Sequence, residues 1–363
     1  MIGKIISEVC GMVYYGENPE TEKEEKRGTV YHAGNGFYNP YIEPLWKKEK
    51  RSIRAAANGI GLAALGYIAI SFFASAIFMI FVQIFYPAAN IHGSLYVTET
   101  TEWIFTLTVY VLSLLVPFGI YALCIRMPLR VAFPFRKAKV DLTLGGVFIG
   151  LGTTVLASYI TGYIQLAFEA VGIGLSMPEY EIPETVPGLV LYVVALAVAP
   201  AFIEEMIFRG IVMQSLRRYG DIFALVASAL IFGIFHLNMI QMPYAFILGL
   251  CIGYFVMRTG SLWVGVIIHF INNGAAVVFE LAMPHMTEEM LVLANSVYNL
   301  VFVILAVIAI AFVLVRYKDI FRFEPSRSSL PSGKRIVYFI TSPALIASMI
   351  GAVILTIPYL YII

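Results

Sequence analysis

Three short stretches place ionisable side chains inside long apolar runs. The first is Glu204-Glu205-Met206-Ile207-Phe208-Arg209, the second Phe232-Gly233-Ile234-Phe235-His236, and the third His269-Phe270-Ile271-Asn272-Asn273. On a helix Glu205 and Arg209 are four apart and share a face, so an ion pair between them offsets the cost of burying either alone. Glu204 is turned about 100° from Glu205 on that helix, which frees it to point elsewhere while its neighbour holds the arginine. His269 and Asn273 are also four apart, so both side chains address one point. Each feature has a bland explanation when taken singly. Glu205 and Arg209 are then a neutralising pair that fixes packing, and a lone histidine such as His236 on an apolar helix is more often a satisfied core residue than a ligand. A second buried carboxylate with no neighbour of its own is harder to justify by packing. Three neighbouring segments that each bring polar groups to membrane depth favour a shared site.

The elements that carry these groups are membrane helices. The chain has 363 residues, 60% of them hydrophobic and 13% charged, with mean hydropathy +0.84. Soluble domains run nearer about 45–50% apolar and about 25% charged, so lipid is the expected solvent. The net charge of +1 supports no nucleic-acid partner. Cys10, Cys124 and Cys251 are far apart and odd in number, which indicates neither a disulfide framework nor a structural zinc site. The mixed, charged residues 1–54 lack the apolar core of a signal peptide and read as a soluble cytoplasmic arm. Its Ala33-Gly34-Asn35-Gly36 and Asn39-Pro40 turns argue against one long helix.

A spanning helix needs about 20 mostly apolar residues. Candidates fall at residues 58–86, 103–125, 142–171, 188–216, 221–238, 244–257, 262–283, 291–315 and 336–363, with the 221–238 run marginal and the 244–257 run short. The expected fold is an all-α, polytopic helical bundle of about nine spans. Its divisions are the arm 1–54, N-terminal helices 55–187, a core 188–283 made by helices 4–7, and C-terminal helices 284–363. The charges support this count. Alternation gathers the basic loops 126–141, 217–220, 258–261 and 316–335 on the side of Lys47, Lys48, Lys50, Arg51 and Arg54, while the opposite loops hold Glu but no Lys or Arg. The positive-inside rule then puts the N-terminus in the cytoplasm and the C-terminus on the opposite side. Glu204 and His269 lie about twelve and about seven residues from the basic ends of their spans, and His236 comes out somewhat deeper at about 1.5 Å per residue.

The three motifs resemble those of the CAAX-type intramembrane endopeptidases and bacteriocin-processing enzymes, the Abi family. Glu204-Glu205-x-x-x-Arg209, Phe232-x-x-x-His236 and His269-x-x-x-Asn273 stand in the family's order. Phe208-Arg209-Gly210 and Thr259-Gly260-Ser261-Leu262-Trp263 supply similar context, and the likeness covers roughly residues 188–280. The resemblance implies hydrolysis of a peptide bond in a membrane-associated peptide or protein tail, at a site of Glu204, Glu205, Arg209, His236, His269 and Asn273. In that scheme Glu204 deprotonates a water that His236 orients, His269 and Asn273 stabilise the oxyanion, and Glu205 with Arg209 fixes the local field. No cofactor is favoured. A zinc version held by Glu204, His236 and His269 competes, although no HExxH helix is present. Rival functions for the same cluster are a non-catalytic immunity factor or scaffold and, more weakly, a proton-coupled transporter.

Overall fold

The computed structural model describes residues 44–85, 90–91, 94–95, 98–178, 180–323, 326 and 328–363. Most of the expected arm, residues 1–43 with Cys10 and its turns, lies outside the described residues, as do Glu179 and parts of the loop at 87–102. The described chain is a helical bundle. Its helices are α1 (Leu45–Phe85), α2 (Glu99–Cys124), α3 (Val140–Glu169), the composite α4 (Val186–Tyr219), α5 (Asp221–Ile234), α6 (Gln241–Thr259), α7 (Leu262–Ala282), α8 (Glu288–Arg316), α9 (Ser332–Ile340) and α10 (Pro343–Thr356). Strand is marginal: Asn90–Ile91 pairs with Ser94–Leu95, and β1 (Ile173–Leu175) pairs antiparallel with β2 (Leu360–Ile362).

Each of the nine apolar runs becomes helix, but the count of nine spans is not reproduced. Seven helices are long and apolar enough to cross a bilayer, or eight if the pair Ser332–Ile340 and Pro343–Tyr359, bent by 66°, counts as one. Two local causes explain the difference. Proline disfavours the α conformation in the residue before it, and Ser342, ahead of Pro343, is extended at φ −78° and ψ 133°. The run 336–363 therefore breaks. The run 221–238 stops short because Leu237 turns into the left-handed region at φ 50°. The Asn238 side chain then accepts from the N–H groups of Ile240 and Gln241, which starts the next helix. At the other end of the chain, α1 begins at Leu45, so its first turns take up the basic cluster that the sequence assigns to the arm.

The loops sort to two ends of the bundle. At one end Ser261 donates to the Arg136 carbonyl, Arg258 donates to those of Asp319 and Arg322, Arg218 donates to Ser52, and Arg335 reaches the Tyr219 carbonyl. The basic loops thus meet one another and the start of α1. At the other end β1 pairs with the C-terminal strand β2, Glu99 accepts from Glu184 and Thr185, and Asn238 donates to the Ser176 carbonyl.

Helices approach closely where side chains are absent. A Cβ on Gly61 of α1 would collide with the backbone of Ala344 and Leu345 in α10, whereas one on Gly119 would meet nothing within 4 Å. The Ala344 N–H also donates to Asn58 Oδ1 at 3.0 Å. Gly61→Val should therefore destabilise the bundle by about 1–3 kcal/mol, and Gly119→Ala should hold stability or raise it slightly. Thermal melts of the purified variants check this; equal melting temperatures would overturn the close contact.

Candidate active site

The site is built on α4, which is not a regular α-helix. Two π-helical stretches, Val194–Val198 and Glu205–Val212, flank the α-helical turns Ala199–Glu204. Wide turns of this kind gather at functional sites, and one cause is visible in the chain. In α register the Leu196 carbonyl would accept the N–H of residue 200, but Pro200 has none. A carbonyl left without its donor inside a membrane is costly. Asn273, on α7, supplies a replacement: its Nδ2 donates to the Leu196 oxygen at 3.1 Å. The same asparagine accepts from Asn272 Nδ2 at 3.0 Å, and Asn272 accepts from the Tyr244 hydroxyl at 2.7 Å.

The second π-helix carries the charged cluster. Glu205 and Arg209 are both fully buried. Arg209 Nη1 sits 2.9 Å from Glu205 Oε1, close but off the hydrogen-bond direction, so the attraction there is chiefly electrostatic. The guanidinium also lies 4.0 Å from the centre of the Phe232 ring and donates through Nη2 to the Gly249 carbonyl at 3.4 Å. A cation over an aromatic face gains from the ring's negative centre, and more so away from water. Glycine makes room for both partners. A Cβ on Gly265 would lie 2.7 Å from Glu205 Oε2, and one on Gly249 would lie 3.3 Å from Arg209 Nη2.

Glu205 has a second partner that spacing along α4 does not reveal. His269 Nδ1 lies 3.0 Å from Glu205 Oε1, in a side chain only 3% exposed. An ionised carboxylate only accepts hydrogen bonds, so Nδ1 is the ring nitrogen that donates to Glu205, and Nε2 is left for another partner. That Nε2 points toward Glu204, whose Oε2 is 3.8 Å away. Glu204 is 14% exposed, and its other oxygen accepts from the Tyr110 hydroxyl of α2 at 2.7 Å. Glu204 Oε2 is buried with no hydrogen-bond partner among the described residues. The carboxylate is thus held by one oxygen and presented by the other.

His236 stands just past the end of α5. Its Nδ1 returns to the Phe232 carbonyl at 2.9 Å, and its ring meets the Phe232 ring edge to face at 4.9 Å. The His269 ring meets the same phenylalanine edge to face at 5.8 Å. Phe232 is therefore the wall against which Arg209, His236 and His269 all rest. His236 also interacts electrostatically with Glu204, His269 and Arg209. Among the described residues, no three His, Cys, Asp or Glu side chains are gathered as a bound metal requires.

The fold thus brings Glu204, Glu205, Arg209 and His269 into direct contact or near contact, with His236 beside them. Asn273 lies one helical turn from His269, but its side chain bonds the Leu196 carbonyl and Asn272 and not a member of this cluster. Tyr110 is the residue that sequence reasoning missed. It lies outside the three motifs, 94 positions before Glu204, and only its place as a phenol inside an apolar run marks it. Pro200 is a second missed signal, legible in the chain as the reason that Asn273 has a carbonyl to hold.

A family model described as "type II CAAX prenyl endopeptidase Rce1-like" matches residues 186–275. That interval holds every one of the three motifs. Over those residues the chain is similar to the CAAX protease family. The membrane-embedded CAAX protease MroQ of Staphylococcus aureus (strain USA300) is 26% identical over 117 residues, which are 30% of this chain and 47% of MroQ. The chain therefore spans about half the length of this curated relative. No solved structure matches. Family and apolar helices together make the chain an integral, multi-pass membrane protein. The family region covers α4 to the middle of α7, whereas Tyr110 is contributed from outside it.

Two stability outcomes follow from this geometry. Arg209→Ala strands Glu205 as a buried charge and should cost about 3–5 kcal/mol, while Tyr110→Phe should cost only about 0.5–1.5 kcal/mol. Thermal unfolding in detergent separates them; an Arg209→Ala protein as stable as wild type would refute the ion pair.

Proposed function

We propose that this chain is an intramembrane endopeptidase that hydrolyses a peptide bond in a membrane-associated peptide or protein tail. The observation that carries the reading is the unsatisfied Glu204 Oε2, presented 3.8 Å from His269 Nε2 in a nearly closed polar cluster. A carboxylate anchored at one oxygen and bare at the other suits a general base. In this scheme Glu204 Oε2 takes a proton from water as the hydroxide attacks the carbonyl carbon. His236 orients the water. The tetrahedral oxyanion is stabilised by positive charge and by N–H groups already in place.

The Glu205 contact refines the part played by His269. While neutral, its Nε2 is an acceptor and cannot stabilise an oxyanion by donation. Once it takes the proton from Glu204 it becomes a donor, flanked by two carboxylates that favour the cation. It can then hold the oxyanion and return the proton to the leaving amine. Asn273 contributes by fixing the Leu196 turn and with its second amide hydrogen. Glu205 and Arg209 set the field around the imidazole. The protein's own groups supply each proton transfer, so the proposal is metal-free.

The basic end of the bundle is assigned to the cytoplasm by the positive-inside rule, with the N-terminus on that side and the C-terminus opposite. Substrate approaches in the bilayer from the cytoplasmic side.

Glu204→Gln keeps shape and removes the base. Peptides released by cells with this variant and with wild type, compared by mass spectrometry, should differ by the loss of at least one cleavage product; identical profiles would sink the assignment. Activity of the purified protein should survive exhaustive chelation, and a loss that added zinc restores would overturn the metal-free route.

A further inference from the structure

A second polar feature lies behind the catalytic helix and is independent of the peptidase reading. Between α3, α7 and α8 the structure leaves an open-mouthed cavity of about 680 Å³, walled by Thr154, Gln165, Tyr244, Asn272, Asn295 and Asn299 among others. It faces the side of α7 that carries Asn272 and Ala276, and it shares no lining residue with Glu204, Glu205, His236 or His269. It runs from Glu169, at the end of α3, inward to Thr154 at mid-helix, so its mouth is at the end of the bundle opposite the basic loops.

The chemistry of its wall is specific. Asn299 is three turns into α8, about 16 Å along the axis from Glu288, and Asn295 is one turn nearer the end. Among the described residues neither amide makes a hydrogen bond. Asn295 is exposed and Asn299 half-buried on the cavity wall, and because an amide facing hydrocarbon without a partner costs several kcal/mol, the wall favours an occupant that bonds to them. The lining includes no Lys or Arg, and its one charged group is Glu169, at the mouth. An anionic head would meet repulsion and no compensation. Hydroxyls, esters and amides, which both donate and accept, match the asparagines and Tyr244.

Beside the cavity runs an apolar groove of about 560 Å³ along α8, lined by Met290, Leu293, Val297, Val301 and Phe302, and it shares Phe279 and Tyr298 with the cavity. A polar, uncharged chamber that opens into an apolar trough fits an amphipathic molecule. We propose that the two together bind a membrane lipid with an uncharged, hydroxyl-bearing head and a long acyl chain, drawn from the leaflet at the end opposite the basic loops. The head bonds to Asn295, Asn299 and Asn272, and the chain lies along α8. Because Asn272 also donates to Asn273, the bound head touches a residue that braces the catalytic turn of α4.

The test is native mass spectrometry of the purified full chain in mild detergent, titrated with dioleoylglycerol or with anionic dioleoylphosphatidylglycerol. Wild type should hold one dioleoylglycerol preferentially. The Asn295→Leu/Asn299→Leu double variant should hold it roughly tenfold less well, as the loss of two hydrogen bonds predicts. More apolar surface would by itself raise nonspecific lipid adhesion, so a fall cannot come from the added leucines, and an unchanged melting temperature would exclude misfolding. If the variant misfolds, the single Asn299→Ser variant is compared in its place. Equal retention by wild type and variant would overturn the proposal by leaving a merely water-filled cavity, and preference for the anionic lipid would overturn the assigned head chemistry.

Discussion

Glu205 is a fully buried carboxylate, and the neighbouring structure is arranged around that fact. A carboxylate at membrane depth is tolerated only if other groups replace its hydration. Arg209 does so from one turn further along α4, and His269 does so from α7. Arg209 then needs its own support, which Phe232 and the Gly249 carbonyl provide from α5 and α6. One buried charge thus ties together the four helices of the core. The small residues at Gly249 and Gly265 follow from the same constraint, since bulk at either would press on the pair.

The distinction between the two adjacent glutamates comes from the same cluster. Glu205 meets a cation and an imidazole through Oε1 alone, and its Oε2, also without a hydrogen-bond partner, is packed against Gly265. Glu204, one residue earlier, reaches across to Tyr110 and keeps one oxygen bare. Their chemical identity is the same and their surroundings are not. A carboxylate with an open oxygen accepts a proton; a carboxylate locked in an ion pair polarises what it touches. The imidazole between them connects the two functions through its two nitrogens.

The irregular winding of α4 is part of this design. Pro200 removes one backbone donor, the helix widens, and the freed Leu196 carbonyl draws in Asn273. A defect in one helix thereby becomes a bond to another, one turn from His269. Outside this core, tolerance is wider. The bend before α10 and the short α5 depart from simple spans, yet both keep the basic loops at one end and the acidic loops at the other.

Much of this protein is legible in the order of its residues. Apolar runs between charged loops dictate a polytopic helical bundle, because backbone in lipid must satisfy itself. Spacing of four pairs Glu205 with Arg209 and sets His269 beside Asn273, because these are contacts within one helix turn. Where each helix stops was less legible: Leu237 in the left-handed region and the extended Ser342 shorten or break runs whose hydropathy alone continues. What required the folded chain was every bond between helices. His269 on Glu205, Tyr110 on Glu204, Phe232 beneath Arg209, and Asn273 on Leu196 join residues whose separation along the chain carries no period. Such contacts depend on how helices cross and rotate, and that is settled by the packing of the whole bundle.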